Sequence, residues 1–260
     1  KDKGGLGAAI ATYQRAIEIK PGYADAHNNL GSLLKQKGDL GSAIEAYKQA
    51  IKINPDYAEA HSNLGNALKH KGDLRAAIES CNRAIKLKPT SAEAHNNLGI
   101  ALQESGNLKA AIESCNRAIK ISPEYAEAHS NLGNALQENG DLRASIRSYT
   151  RALEIRPDYT IARSHKLRQQ ALICDWDAIE TDRHLIPDLG VSTEFVTPFA
   201  MLYLEDQPSR HRQRSELFAQ NKCKGRDTAL PALARPSKQP EKLRIGYFSG
   251  DFHVHPVMQL

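Results

Sequence analysis

At 260 residues, with 25% charged and 40% apolar side chains, the chain has an ordinary globular composition and room for two modest units. Its longest apolar stretch, residues 199–204, is far too short to span a bilayer. A net charge of +5 is spread evenly, with 21 basic and 18 acidic side chains in residues 1–159 and 14 and 12 in 160–260. Neither a membrane nor a nucleic-acid partner is expected from this pattern. The four cysteines form no paired motif, so nothing points to an oxidising compartment, and a cytoplasmic protein is expected.

The chain opens on a single helical segment, residues 1–23, with Ala9, Tyr13, Ala16 and Pro21 in the register of the later rows. This is the second half of a two-helix unit, and we expect the start to be a cut within a repeat. Four rows of 34 residues come next: 24–57, 58–91, 92–125 and 126–159. Gly31, Gly65, Gly99 and Gly133 share one column, and Leu30, Leu64, Leu98 and Leu132 precede them. Ala50, Ala84, Ala118 and Ala152 form another column, and Pro55, Pro89, Pro123 and Pro157 close the rows. A fixed period of this size marks stacked units, because one unit cannot bury its apolar face alone. The order Leu-Gly, apolar, Ala, Tyr or Cys, Ala, Pro resembles the tetratricopeptide repeat over residues 1–159, which implies a right-handed superhelical solenoid.

Each row divides into two helices. The first places apolar residues such as Ala26, Leu30, Leu33 and Leu34 at helical spacing. It ends at Gly38, Gly72, Gly106 or Gly140, the residue type suited to a left-handed turn. Asp39, Asp73, Asn107 or Asp141 follows as the cap of the second helix. Cys81 and Cys115 occupy the inward position that Tyr47 and Tyr149 hold elsewhere; both read as small buried core residues, too far apart for a disulfide.

Two columns on the first helices carry polar chemistry. His27, His61, His95 and His129 recur once per row; that spacing is too wide to share a metal ion with ~2 Å bonds, so no metal site is expected and a packing role is read instead. Asn29, Asn63, Asn97 and Asn131 recur mid-helix, where Asn is a mediocre choice. An amide offers two donors and an acceptor, so this column is the candidate acceptor-peptide groove, shared with Ser32, Asn66 and Asn134. On that reading the amides contact a peptide, and replacing three of them by Ala leaves stability unchanged.

After Tyr159 the period stops. Residues 160–229 read as a helical capping or inter-domain region, with Arg163, Arg168 and Gln169 turned outward and Trp176, the lone tryptophan, as a core anchor. A helix is expected to start at Thr197-Pro198 and another at Pro208. The alternating Arg210, Arg212 and Arg214 are read as a solvated helix flank. Residues 230–242 hold Pro231, Pro236 and Pro240 and have linker composition. From Leu243 the character changes: residues 243–248 read as a strand, 249–251 as a turn, and His255-Pro256 as a helix entry. This is how a nucleotide-binding α/β domain begins, here over 243–260 only.

Three segments in order carry a further resemblance: the Asn column, Cys174-Asp175-Trp176 with Met201-Leu202-Tyr203, and Leu243-Arg-Ile-Gly-Tyr-Phe-Ser-Gly-Asp-Phe-His-Val-His-Pro256. Together they resemble the protein O-linked N-acetylglucosamine transferases, glycosyltransferase family 41, of bacterial type. The resemblance implies a mostly α chain followed by the first strand of a truncated Rossmann-like, GT-B-type catalytic domain. It implies inverting transfer of a sugar from a UDP-sugar to Ser or Thr of proteins, with UDP-N-acetylglucosamine or another UDP- or GDP-sugar as donor and no required cofactor or metal. His255 matches the active-site loop histidine of that family; an imidazole titrating near neutrality can take a hydroxyl proton. The 260 residues alone are expected to be inactive, because the donor pocket lies beyond them. The competing reading is a non-enzymatic repeat adaptor that binds peptides or partner proteins. Residues 243–256, for which an adaptor has no use, separate the two.

Overall fold

In a computed structural model of the chain, residues 3–191, 196–197, 201–202 and 204–222 are described. The linker, the strand over 243–248, His255 and part of the Thr197-Pro198 helix start lie outside the described residues. Those described form twelve α-helices and one 3-10 helix, with no strand among them. A lone helix α1 (Lys3–Ile19) leads into four pairs: α2 (Ala24–Lys37) with α3 (Leu40–Ile53), α4 (Ala58–Lys71) with α5 (Leu74–Leu87), α6 (Ala92–Glu104) with α7 (Leu108–Ile121), and α8 (Ala126–Glu138) with α9 (Leu142–Ile155). Then come α10 (Thr160–Leu172), α11 (Trp176–Asp182), the 3-10 helix Arg183–Asp188 and α12 (Pro208–Lys222).

The punctuation expected from the residue types is present. Gly38 and Gly72 adopt φ of 93° and 89°, the left-handed conformation that lets the chain reverse. The Asp39, Asp73, Asn107 and Asp141 side chains accept from backbone amides three residues on, at 3.0, 3.1, 3.4 and 3.0 Å, so every second helix starts capped.

Within a row the two helices are drawn together at the glycine column. A Cβ built on Gly31 would stand 2.7 Å from the Tyr47 ring, and one on Gly133 2.6 Å from Tyr149. On Gly65 and Gly99 it would meet Cys81 and Cys115 Sγ at 2.5 and 2.6 Å. Glycine is required there by contact. Burial pushes both thiols up to about 12, so they are inert apolar filler. Between rows the first helices touch directly, α2 on α4, α4 on α6 and α6 on α8. They form the inner, concave side, with α3, α5, α7 and α9 outside.

The region after Tyr159 departs from expectation at four side chains; Arg163, expected to face outward, is mostly buried and lies 3.2 Å from Asp182 Oδ1. Trp176 opens α11 and is 53% exposed, so it anchors no core; Leu167, Ile179, Ile186, Leu189, Val196 and Met201 make that core instead. Arg214, expected on a solvated flank, is fully buried. Its Nε and Nη2 donate to the Leu189 and Ile186 carbonyls at 2.7 and 2.8 Å. Its Nη1 lies 2.8 Å from Glu205 Oε2, and Arg210 pairs with the same carboxylate. Carbonyls left over by the short 3-10 helix need donors, and a guanidinium supplies several at once. Gln169, expected to face outward, is buried and donates to Gln137 Oε1 at 2.7 Å.

Gly65→Ala should therefore lower stability by roughly 1–2 kcal/mol, the overpacking cost exceeding the helix-propensity gain of alanine. Adding Cys81→Ala, which removes the 2.5 Å contact, should make the double variant's loss smaller than the sum of the two single losses. Thermal melts of the four proteins check this; strict additivity would show that the contact does not limit the approach.

Candidate functional site: the inner face of the repeats

The histidine column is structural. In each row Nε2 donates to the carbonyl of the proline six residues earlier: His27 to Pro21, His61 to Pro55, His95 to Pro89 and His129 to Pro123, at 3.0, 3.0, 3.1 and 2.9 Å. The bond fixes which ring nitrogen bears the proton and ties the joint between rows to the helix after it. Arg163 stands in the same register and donates to the Pro157 carbonyl at 2.6 Å. No cluster able to hold a metal occurs among the described residues.

The asparagine column lies in the seam between rows. Asn63 Nδ2 donates to Asn28 Oδ1 at 3.0 Å, Asn97 Nδ2 to Ser62 Oγ at 3.1 Å, and Asn131 Nδ2 to Asn96 Oδ1 at 2.9 Å. Each bond spans 35 residues, one repeat and one step. Asn63 and Asn97 are 8% and 6% exposed, while Asn29 and Asn131 are half-buried. Asn29 Nδ2 has its own partner, the Tyr13 hydroxyl at 3.4 Å. Buried amides of this kind are satisfied inside the protein, so one N–H of each of these amides is committed to the array, and the second N–H and the oxygen make up the rest of its capacity. Asn97 Oδ1 already accepts from Asn66 Nδ2 at 3.3 Å.

The acceptor side of this ladder, Asn28, Ser62 and Asn96, is nearly fully buried and does not stand out in the sequence. A signal for it exists all the same: Asn, Ser, Asn, Ser at positions 28, 62, 96 and 130, one residue before the conspicuous column. Asn28 Nδ2 continues outward to Glu59 Oε1 at 3.1 Å.

A second ladder runs along the C-terminal ends of the inner helices in the same register. Gln103 Nε2 donates to Glu138 Oε1 at 2.8 Å, and Lys69 Nζ lies 3.7 Å from Glu104 Oε1. At the far end of the inner face Tyr149 hydroxyl donates to Asn134 Oδ1 at 2.8 Å, and His165 Nδ1 pairs with the same oxygen at 2.9 Å. Burial, then the nearby Arg168 charge, lowers the His165 pKa. His165 follows Asn131 by one period and ends the asparagine column. The outer side carries clefts of a different kind, open furrows between successive second helices. One of about 600 Å³ is lined by Lys48, Ile51, Leu64 and Arg83, and none of the candidate asparagines borders it.

Because the column's donors hold the seam, the expectation that its loss leaves stability unchanged is replaced. Asn63→Ala, Asn97→Ala and Asn131→Ala should each destabilise by about 1 kcal/mol, the net value of one hydrogen bond with a buried partner left bare. The triple variant should unfold at visibly lower denaturant. An unchanged midpoint would mean the ladder contributes nothing.

Comparison with known proteins agrees with this geometry. The TPR repeat family model matches residues 1–38, 31–72, 65–106 and 104–140, and the tetratricopeptide repeat model matches 126–159. Among curated proteins none matches the chain. Among solved structures it is similar to MamA, at 29% identity and a TM-score of 0.52 over 59% of this chain and 90% of that one. It is similar to YrrB, described as a TPR protein with an unusual peptide-binding site, at 18% identity and a TM-score of 0.52 over 78% and 97%. PilF of Pseudomonas aeruginosa has 17% identity and a TM-score of 0.63 over 78% and 92%. With its family models covering residues 1–159 and its rows built as paired helices capped by glycine and aspartate, the chain belongs to the tetratricopeptide repeat family.

Proposed function

We propose that the repeat array binds an extended polypeptide along its inner face and acts as a protein-interaction module. The observation that carries this is the surface left once the ladders are formed. Touching inner helices present a continuous polar strip, row after row, in which Lys35, Glu93 and Arg168 make no ion pair among the described residues. A strip with regular spacing and unspent polar groups suits a main chain, whose donors and acceptors also recur regularly. Asparagine oxygens accept backbone N–H groups; one N–H of each amide is held in the seam and the other can donate to a main-chain carbonyl. The peptide-binding site ascribed to YrrB belongs to a protein with the same fold and supports the reading only to that extent.

A second reading is favoured by residues 243–256, whose pattern resembles the opening strand and active-site loop of the family 41 glycosyltransferases. In it the polypeptide held by the repeats is the acceptor, a nucleotide sugar is the donor, and His255 lines the reacting site. Both readings share the groove. Protein made from the complete reading frame, assayed for sugar transfer from UDP-N-acetylglucosamine to protein Ser or Thr, separates them: transfer abolished in His255→Ala supports the transferase, and no transfer from any UDP- or GDP-sugar leaves the adaptor.

The groove itself is tested by a photo-crosslinking residue placed singly at Ser32, Ile100 or Asn134 on the inner side and at Lys52, Lys86 or Lys120 on the second helices. Unfolded polypeptide should be captured from the inner positions at least several-fold more than from the outer ones. Equal capture, or capture from the outer positions only, would contradict the proposal.

A further inference from the structure

The outer side of the array carries an ion-pair ladder of its own, and that ladder has one gap. Arg83 of α5 lies 3.1 Å from Asp56 in the joint that ends the first row, and Arg151 of α9 lies 2.7 Å from Glu124 in the joint that ends the third. Each pair spans 27 residues and links one row to the next. The same register sets Arg117 of α7 against position 90, where the sequence has Thr in place of an acid. One row earlier it sets Gln49 against Gly22, so neither partner is present there. Only between rows two and three does the cation stand without its anion.

Both sides of the gap are unspent. Among the described residues neither the Arg117 guanidinium nor the Thr90 hydroxyl has a hydrogen-bond or ion-pair partner, and both residues are exposed. Arg117 stands beside this joint. Burial lowers the His95 pKa, the bond from its ring to the Pro89 carbonyl at 3.1 Å raises it, and the Arg117 charge lowers it again. One ring therefore touches the residue before Thr90 and feels Arg117. Ser91, the next hydroxyl, is already used: its Oγ accepts from the Ala94 amide at 3.2 Å as the cap of α6. Residues 88–90 are exposed, and Lys86 and Lys88 precede Thr90 by four and two positions.

We propose that Thr90 is a phosphorylation site, and that its phosphate pairs with Arg117 and closes the outer ladder between rows two and three. A protein kinase supplies the group from a nucleoside triphosphate. The Thr90 Oγ1–P bond forms, the terminal phosphoanhydride bond breaks, the nucleoside diphosphate leaves, and the hydroxyl proton passes to the kinase's base. Phosphothreonine carries nearly two negative charges and three acceptor oxygens, against which the guanidinium fork of Arg117 makes two bonds. Thr90 lies two residues ahead of α6, where a helix end favours an anion. Asp56 and Glu124 hold the same place ahead of α4 and α8, so the joint accommodates negative charge. Lys86 and Lys88 suit a kinase whose substrate cleft is acidic. Each repeat contacts only its neighbours, so the phosphate stiffens the array at its middle interface. Nothing in this depends on what the inner face binds.

The test treats the folded 260-residue chain with magnesium, ATP and a basic-selective protein kinase chosen because it labels a peptide of residues 83–95. Mass spectrometry of fragments then places the phosphate. The folded chain should be modified at Thr90, and the modified chain should melt about 2 °C higher than the unmodified one. Arg117→Gln should abolish that rise while leaving the melting temperature of the unmodified chain unchanged, as expected of a residue whose partner arrives only with the phosphate. Thr90→Glu should reproduce part of the rise without any kinase. A folded chain left unlabelled at Thr90 would overturn the site. No rise on modification, or a rise that survives Arg117→Gln, would overturn the pairing.

Discussion

Everything in this chain depends on how closely two helices of one row approach. That distance is set where a glycine of the first helix faces Tyr47, Cys81, Cys115 or Tyr149 of the second, with no room for a methyl group between them. The close crossing buries the alanines at positions 43, 77, 111 and 152 completely, and it makes the row a rigid wedge. Wedges of one shape, stacked, produce a curved array with one side crowded. The crowded side here is the row of inner helices, and its curvature is the groove.

Stacking would be weakly specified if only small apolar residues met between rows. The polar ladders remove that freedom. An amide of one row reaches the row before it across 35 residues, and a histidine ties each proline joint to the following helix. Groups buried in this way stay satisfied in one register and are left bare in any other. The same bonds decide what the inner face can offer a ligand: one N–H of each of these amides is consumed, while the rest of its capacity and a few charges remain. On the proposed reading, structure and recognition draw on one set of side chains, and those the ladders leave unspent are the ones open to a ligand.

Much of this is legible in the residues. Period, caps and the glycine column follow from steric and hydrogen-bonding rules that act within a few residues, and the structure places them as read. The asparagines are visible as a column but not as a seam, because the partner of Asn63 is Asn28, a row away, and periodicity says nothing about which neighbour an amide will meet. Beyond Tyr159 the sequence is less informative for the same reason. Arg214 looks like any helix-surface arginine until the carbonyls of Ile186 and Leu189 are known to face it, and Trp176 looks like an anchor until the local core closes without it. Without a repeat, there is no second copy against which to judge which side faces in.

The most direct test of a polypeptide held on the inner face is hydrogen exchange of the 260-residue chain, with and without a saturating unfolded polypeptide. Binding there predicts added protection in the inner helices α2, α4, α6 and α8. Protection confined to the outer helices α3, α5, α7 and α9, or none at saturation, would contradict it.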